Sequence, residues 1–266
     1  MDILAAINWN ANPEIFHIGS ISIRWYGLLF SIAFIAGYQI MSWVFKSEGK
    51  TQKDLESLTV TMIISTVVGA RLGHCLFYDP VYYLSNPLEI IMVWKGGLAS
   101  HGAAIGIIFG LWIFSRRRKK ISWLWVLDRI VIVVALAGLF IRTGNFMNSE
   151  IIGKASDLPW AVVFQRVDLI PRHPAQLYEA LCYLAIFLYL LFKYKKYKST
   201  LPDGQLFGFF LATVFTARFL LEFLKKEQEA FETSMPLDMG QILSIPFIIL
   251  GIYFLYRAWK GKEKKE

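Results

Sequence analysis

The sequence predicts an all-α integral membrane protein with seven transmembrane helices, and two observations lead to this fold class. Of the 266 residues, 56% are hydrophobic and only 18% are charged, whereas soluble domains contain about 25% charged residues. Seven apolar stretches are long enough to cross a hydrocarbon layer of about 30 Å, which takes about 20 helical residues. This composition argues against an ordinary soluble domain, a disordered or collagen-like chain, and a nucleic-acid-binding protein.

The predicted spans follow one another with short polar segments between them. They cover residues 21–45, 56–77, 97–115, 123–141, 176–192, 205–224 and 237–257. We therefore expect a single membrane domain over residues 1–266, with no internal repeat. Residues 1–20 contain no Lys or Arg, so they lack the basic region of a cleavable signal peptide, and the first span is expected to stay in the mature protein.

Lys and Arg are distributed unequally between the two sets of loops. The loops that follow the first, third, fifth and seventh spans contain 17 of these residues, and the opposite set contains seven. Because cytoplasmic loops are enriched in Lys and Arg, we expect the N-terminus outside and the C-terminus in the cytoplasm. The clusters at 116–120 and 193–198 are then solvated anchors of this topology.

Ionisable side chains inside the spans gather toward the predicted outer side of the membrane. Such side chains are costly in lipid and indicate functional sites. They are Arg24, Arg71, His74, His101, Glu179, Arg218, Glu222 and Asp238. Only Asp128 and Arg129 lie toward the cytoplasm. We therefore expect a polar site that opens to the outer leaflet.

Two features of the spans have structural alternatives. Arg218 and Glu222 are four residues apart and share a helix face, so their pairing could stabilise a buried Arg without any chemistry. Glycines at 69, 73, 102, 106 and 110 form small-residue patterns that are most typical of close helix packing.

The segment 142–175 is expected to be extracytoplasmic, between the fourth and fifth spans. It opens with Arg142, Asn145, Asn148 and Glu150 within nine residues. Capping of the fourth helix is the alternative to a binding role. The run at 172–179, Arg-His-Pro-Ala-Gln-Leu-Tyr-Glu, leads into the fifth span and places Glu179 one turn inside the lipid boundary, where it needs a cationic partner or a proton.

Several arginines at one depth, next to a carboxylate and a histidine, suit a phosphate group. Arg binds phosphate through a planar fork and stays charged when it is partly desolvated, and the abundant phosphates of a membrane belong to lipid headgroups. The sequence has no Gly-rich phosphate loop, His/Cys metal cluster or nucleophile elbow. Cys75 and Cys182 lie in apolar runs and are interpreted as buried thiols. We therefore expect no metal or organic cofactor, and a nucleophile that belongs to a substrate.

Residues 142–153 read Arg-x-Gly-Asn-Phe-x-Asn-x-Glu-x-x-Gly, which closely resembles the signature of the prolipoprotein diacylglyceryl transferase family. Five further motifs resemble the family in order and spacing: Arg24-Trp25-Tyr26-Gly27, Gly69-Ala70-Arg71, His101-Gly102, the run from His173 to Glu179, and the run from Arg218 to Glu222. The resemblance covers nearly the whole chain. It departs from the family pattern at Ile141, Ala103 and Val214.

The resemblance implies a seven-span enzyme of the bacterial cytoplasmic membrane with its active site toward the outer leaflet. The implied reaction moves a diacylglyceryl group from phosphatidylglycerol to the thiol of the lipobox cysteine in a preprolipoprotein signal peptide. It forms a thioether and releases glycerol 1-phosphate. The expected partners are these two substrates and the lipid bilayer, without nucleic acid.

The resemblance also implies residue roles. The catalytic set is His101, Arg142, Glu150, Arg218 and Tyr26. Arg142 would hold the lipid phosphate and stabilise its growing charge, with Arg218 as a second contact. His101 would take the thiol proton, although a helix-packing role is the alternative, and Tyr26 could instead be a plain interfacial aromatic residue.

The implied substrate-binding set is larger. It contains Arg142, Asn145, Asn148, Gly153, Arg71, His173, Glu179, Arg218 and Glu222. Within it, the two asparagines and Glu150 would bind the headgroup or order the Arg142 loop, Glu222 would orient Arg218, and Gly153 would permit a turn that a side chain forbids.

Two functions of other classes are alternatives. A lipid or anion transporter also places arginines inside a helical bundle, but transporters commonly show repeats and a midplane site, which this sequence lacks. A non-catalytic scaffold would explain the packing glycines but not the ionisable residues at one depth.

Overall fold

A computed structural model of the chain describes residues 6–19, 21–226 and 236–263 and is mainly helical. The helices are α1 (Trp25–Ser47), α2 (Gln52–Phe77), α3 (Pro80–Ser85), α4 (Pro87–Ile90), α5 (Ser100–Arg117), α6 (Trp123–Asn148), α7 (Ala175–Tyr197), α8 (Gln205–Glu222) and α9 (Met239–Glu263). Single 3₁₀ turns lie at Val93–Lys95 and Lys198–Thr200. Parts of the N-terminal segment and of the C-terminal basic cluster lie outside the described residues.

Within the described residues, six helices are long and apolar enough to cross a membrane: α1, α2, α6, α7, α8 and α9. The multi-pass membrane protein expected from the sequence is therefore confirmed. The third predicted span corresponds to α5, which begins at Ser100 instead of residue 97 and has Arg116 and Arg117 in its last turn. These ends shorten the apolar part of α5, so a seventh span stays a prediction. The orientation of the chain in the membrane also stays a prediction.

Among the described residues, five short strands accompany the helices, and the sequence did not indicate them. They are β1 (Ile7–Trp9), β2 (Glu14–Ile18), β3 (Ile21–Arg24), β4 (Val162–Phe164) and β5 (Pro171–Arg172). One sheet has the order β1-β4-β5, and β2 pairs with β3 as an antiparallel hairpin. The first predicted span is therefore wrong at its start, because residues 21–24 form a strand and α1 begins at Trp25.

The chain divides into two compact units, and the single domain expected from the sequence stays a prediction. The first unit comprises Met1–Ile40 with Asp128–Glu266, and the second comprises Met41–Leu127. In the first unit, β1 and β4 are parallel, with Ile7 opposite Val162. Trp9 packs there against a buried cluster that includes Phe146 and Phe164.

In the second unit, α2 and α5 approach at backbone distance. A Cβ atom on Gly69 would lie 2.5 Å from the carbonyl oxygen of Gly102 and 2.9 Å from the Cα atom of Gly106. One on Gly73 would lie 2.6 Å from the Cα atom of Gly102. The packing role predicted for these glycines is confirmed, because any side chain would separate the two helices.

Helix α6 extends to Asn148, seven residues beyond its predicted end at residue 141. Two contacts accompany the extra turns. Within the helix, the hydroxyl of Thr143 donates to the Leu139 carbonyl at 2.9 Å, and from a distant part of the chain, the ring of Tyr26 packs in the room that Gly144 leaves. The helix therefore continues past the predicted end of the fourth span, and the signature begins inside a helix. The extracytoplasmic position of 142–175 stays a prediction.

At its other end, α6 supplies a buried cap to α8. Helix α8 begins after Gly204, which has no side chain to cap it. Asp128 takes over this function: one carboxylate oxygen accepts from the Gly204 N–H at 2.5 Å and the other from the Phe207 N–H at 2.9 Å. This interaction fixes α8, which places Arg218 and Glu222, relative to α6, which places Arg142.

Candidate functional site

Three signature side chains share one face of the last two turns of α6, because they are spaced three residues apart. The Arg142 guanidinium lies 3.5 Å from the amide oxygen of Asn145. The amide groups of Asn145 and Asn148 donate to the two carboxylate oxygens of Glu150 at 3.2 and 3.1 Å. Both oxygens of Glu150 are therefore occupied, so the asparagines and Glu150 order the segment that follows Arg142.

The turn after α6 is strained. Ser149 and Ile151 have φ angles of 57° and 55°, a region in which a side chain costs roughly 1–2 kcal/mol per residue. The Glu150 N–H donates to the Asn145 carbonyl at 2.9 Å, and the amide of the buried Gln176 donates to the Glu150 carbonyl at 2.5 Å. These bonds from two helices hold the turn in its costly conformation.

Gly153 is required by close packing. Its N–H donates to the His173 carbonyl at 3.1 Å, and a Cβ atom would collide with that carbonyl and lie 2.5 Å from the Cβ atom of His173. Its φ is not positive, so a side chain is excluded here by contact with His173 and not by the backbone conformation. The close approach places His173, whose ring nitrogen Nδ1 lies 3.3 Å from the Tyr178 hydroxyl.

A buried network of two cations and two carboxylates joins the signature to α7 and α8. Nε of Arg142 lies 2.7 Å from one oxygen of Glu179, and Nζ of Lys225 lies 2.8 Å from the other. Lys225 also lies 3.0 Å from Glu222. Their side chains are 14% (Arg142), 4% (Glu179), 3% (Lys225) and 10% (Glu222) exposed. The network has no net charge, as a cluster at this depth of burial requires.

The ion pair predicted between Arg218 and Glu222 is not found among the described residues, because Glu222 pairs with Lys225 instead. Lys225 lies just past the end of α8 and contacts the carboxylates of both Glu179 and Glu222. Two carboxylates stabilise a buried cation more than one carboxylate does, which favours Lys225 over Arg218 as the partner of Glu222. Arg218 lines a cavity of about 10 Å³ together with Glu179 and Tyr183, room for about one water molecule.

The Nε atom of Arg218 is buried and has no hydrogen-bond partner in the part of the chain that the structure describes. A buried guanidinium N–H without a partner is costly. An anion or a water molecule that reached this atom would remove that cost.

Tyr26 lies against the same end of α6. A Cβ atom on Gly144 would lie 2.8 Å from Cδ2 of the Tyr26 ring. The absence of a side chain at Gly144, two residues after Arg142, therefore allows the ring to pack against α6. The ring is half-buried and stacks on Phe30 with 6.5 Å between ring centroids. The first unit thus brings together Tyr26, Arg142 and the amide and acid residues of the signature.

Arg71 and His101 lie in the second unit. Arg71 is buried and donates four hydrogen bonds to backbone carbonyls: to Ile90 at 3.0 Å, to Glu89 and Gly96 at 2.5 Å, and to Gly97 at 3.3 Å. A guanidinium has five N–H donors, so Arg71 braces the segment 89–97. All of these contacts are to backbone carbonyls, and the substrate-binding role of Arg71 stays a prediction.

His101 is the second residue of α5 and is exposed. Its imidazole packs edge-on against Phe77, with 5.1 Å between ring centroids, and stacks on Tyr78 at 6.0 Å. An exposed imidazole can exchange protons, so this environment is compatible with a base. The role itself stays a prediction.

Sequence reasoning gave no site role to two buried residues of the first unit, Lys225 and Gln176, although Gln176 belongs to the run from His173 to Glu179. Lys225 was counted only among the cations of an outer loop. The signal that could have found it is its spacing of three residues from Glu222 at the end of an apolar span. Gln176 lies three residues before Glu179 on the same face of α7, which is the corresponding signal.

Known proteins resemble this chain over nearly its full length. The family model described as prolipoprotein diacylglyceryl transferase matches residues 13–257. A phosphatidylglycerol–prolipoprotein diacylglyceryl transferase of Chloroherpeton thalassium is 48% identical, over 99% of this chain and 98% of the relative. Proteins of the same name from Tolumonas auensis and Bacteroides fragilis are 47% and 46% identical, over 96% and 99% of this chain and 99% of each relative. The chain therefore belongs to the prolipoprotein diacylglyceryl transferase family.

Proposed function

We propose that this protein transfers the diacylglyceryl group of phosphatidylglycerol to the thiol of the lipobox cysteine in a preprolipoprotein, forming a thioether and releasing glycerol 1-phosphate. Relatives that carry both substrates in their names match it at 46–48% identity over 96–99% of the chain. None of them is named as a transporter, so transport is not favoured. The protein is accordingly a transferase.

The reaction is a displacement at carbon. The cysteine sulfur forms a bond to the glyceryl carbon that carried the phosphate, and the carbon–oxygen bond breaks with its electron pair going to the phosphate. The thiol proton must go to a base, since a thiol with an ordinary pKa of about 8.5 is mostly protonated at neutral pH. Negative charge therefore grows on the phosphate as the leaving group departs.

The observation that carries the proposal is the state of Arg142. Its Nε forms an ion pair with Glu179 at 2.7 Å and its side chain is 14% exposed, so the guanidinium lies in a partly desolvated environment. A guanidinium binds phosphate bidentately and strongly under such conditions. We assign the lipid phosphate to the terminal N–H groups of Arg142, with the unpartnered Nε of Arg218 as a second donor.

The remaining roles follow from the contacts. The carboxylate of Glu150 repels a phosphate, and both of its oxygens accept from Asn145 and Asn148, so these residues keep the Arg142 region in place. Tyr26, packed on Gly144, lines the lipid chain or donates to the phosphate. His101 is proposed as the group that receives the thiol proton.

The proposal includes a membrane arrangement. All seven apolar helices, α5 included, cross the bacterial cytoplasmic membrane, with the N-terminus outside and the C-terminus in the cytoplasm. The signature then lies toward the outer leaflet, where phosphatidylglycerol and the lipobox of a signal peptide are both present. The excess of Lys and Arg in one set of loops supports this orientation.

The test uses purified protein in detergent with phosphatidylglycerol and a synthetic lipobox peptide. The intact protein should add one diacylglyceryl mass to the peptide and release an equal amount of glycerol phosphate. Arg142→Ala should lower the rate by about 10²- to 10³-fold, as expected when a donor to a growing oxyanion is removed. Arg166→Ala is the matched control, because Arg166 is an exposed arginine of the same segment.

Two results would overturn the proposal. A folded intact protein that gives no adduct with several peptides would refute the transfer reaction. An Arg142→Ala variant as active as the Arg166→Ala control would refute the phosphate assignment.

A further inference from the structure

Lys225 is a buried lysine that the reaction scheme above does not use. Its side chain is 3% exposed, and lysine is almost never buried unless it is paired. Its backbone lies beside the signature: the Lys154 N–H donates to the Leu224 carbonyl at 2.8 Å, and the Lys226 N–H donates to the Ile152 carbonyl at 3.1 Å. The end of α8 is therefore joined by backbone hydrogen bonds to the segment that follows Arg142.

The lysine shares a carboxylate with Arg142. The two oxygens of Glu179 are divided between the two cations, with Arg142 at 2.7 Å and Lys225 at 2.8 Å. The carboxylate thus lies between two positive charges, and its position sets where the Arg142 guanidinium lies. Nε of Arg142 and its Glu179 oxygen form an ion pair without hydrogen-bond geometry, and one terminal nitrogen of the guanidinium lies 3.5 Å from Asn145. The terminal N–H groups are the ones that bidentate phosphate binding uses.

We infer that Lys225 is a positioning residue for the phosphate site, which orients Arg142 by holding Glu179 between the two cations. This inference rests on the proposed function and goes beyond it by giving a role to a residue outside the signature. Lys225 itself contacts no substrate in this scheme. Its effect reaches the lipid only through Glu179.

A simpler role for Lys225 would be to neutralise Glu222, which it approaches at 3.0 Å. Removing the lysine leaves two buried carboxylates and one cation, and the excess charge alone is destabilising. The double variant Lys225→Met/Glu222→Gln removes one charge of each sign. It restores the charge balance but leaves Glu179 with Arg142 as its cation and without Lys225. The double variant therefore distinguishes neutralisation of Glu222 from positioning of Glu179.

The experiment compares the intact protein with Lys225→Met, Lys225→Arg and the double variant, with Lys226→Met as the control because Lys226 is the exposed neighbour. Transfer is measured at varied phosphatidylglycerol and varied peptide concentrations. The rise in melting temperature on adding phosphatidylglycerol vesicles is measured with the same proteins. This second readout requires lipid binding but no transfer.

For Lys225→Met we expect KM for phosphatidylglycerol to rise about 10- to 100-fold, the cost of misplacing a binding group by about 1 Å. KM for the peptide should stay unchanged, and the stabilisation by phosphatidylglycerol should disappear. Lys225→Arg should retain most of the activity because arginine keeps the charge. The double variant should regain the melting temperature of the intact protein while keeping the high KM for the lipid.

Three outcomes would overturn the inference. They are a Lys225→Met variant that matches the Lys226→Met control, a double variant that regains the low KM, and an equal rise of both KM values. If the intact protein forms no thioether, the transfer reaction fails, whereas the lipid-induced stabilisation still decides the role of Lys225.

Discussion

The cap that Asp128 provides to α8 gives a prediction whose size follows from the structure. Asp128 is fully buried and accepts from the N–H groups of Gly204 and Phe207 at 2.5 and 2.9 Å. Asp128→Ala leaves both N–H groups without an acceptor at the start of a helix that has no side-chain cap of its own. Helix α8 should then fray from its first turn.

The expected loss of stability is about 3 kcal/mol. Hydrogen bonds to a charged group contribute roughly 1.5–3 kcal/mol each, so two bonds set an upper range of about 3–6 kcal/mol. The lower end applies because the variant no longer buries a carboxylate, whose desolvation is unfavourable. This gain exceeds the loss of the long 3.7 Å ion pair between Asp128 and Arg129. For a chain of this size, about 3 kcal/mol corresponds to a fall in Tm of roughly 6–12 °C.

The assay is thermal unfolding in detergent, followed by the fluorescence of the nine tryptophans. Asp128→Asn should lose about half as much as Asp128→Ala, since its amide oxygen can still accept one N–H. Asp203→Ala is the control, because Asp203 is exposed near the same helix start. A fall in Tm below about 2 °C for Asp128→Ala, less than 1 kcal/mol on the same scale, would refute the reasoning.

Three further predictions concern other parts of the molecule. Gly102→Leu should lower Tm and yield, because a Cβ atom there would collide with the carbonyl of Gly69; thermal unfolding measures the loss. Hydrogen bonds from Arg172 hold the pKa of Asp168 below its ordinary value of 3.8, so the stability from this pair should be complete above that value and decline as pH falls through the lowered pKa. Asp168→Asn should flatten the acid side of a plot of Tm against pH. His101→Gln should lower kcat while leaving Tm unchanged, because the exposed imidazole is the proposed proton acceptor.

Each of these predictions has a result that would contradict it. A Gly102→Leu variant with the Tm of the intact protein would mean that α2 and α5 tolerate separation. If Tm falls with decreasing pH to the same extent in Asp168→Asn and in the intact protein, the ion pair between Asp168 and Arg172 makes no contribution to stability. A normal kcat for His101→Gln would assign the thiol proton to another group.

Much of the helical architecture could be predicted from the sequence, because apolar length is a local property. Six of the seven predicted spans correspond to helices that are apolar enough to cross a membrane. The ends of two of these helices differ from the predicted ends. The start of α1 was missed because residues 21–24 pair with β2, and the end of α6 because the ring of Tyr26 packs on Gly144. The first contact is with the preceding strand, and the second is with a residue more than one hundred positions away in the chain, so neither is visible in the local sequence.

The composition of the site was also visible in the sequence. Arg142, Asn145, Asn148 and Glu150 are close in the chain, so their spacing alone placed them together. The contacts of Arg71 were not visible, because its partners are backbone carbonyls 18 to 26 residues away. An arginine in a motif that resembles the family can therefore brace a loop instead of facing a substrate.

The sequence by itself determined that the chain is a multi-pass membrane protein of one family, with arginine, amide and acid residues concentrated in a short signature. Only the tertiary structure decided which charges pair. Glu222 has one cation four residues before it and another three residues after it, and local spacing favours neither. The packing of α7 beside α8 brings Glu179 to the second cation, Lys225. A buried lysine is stabilised more by two carboxylates than by one, so the position of a distant helix selects the ion pairs.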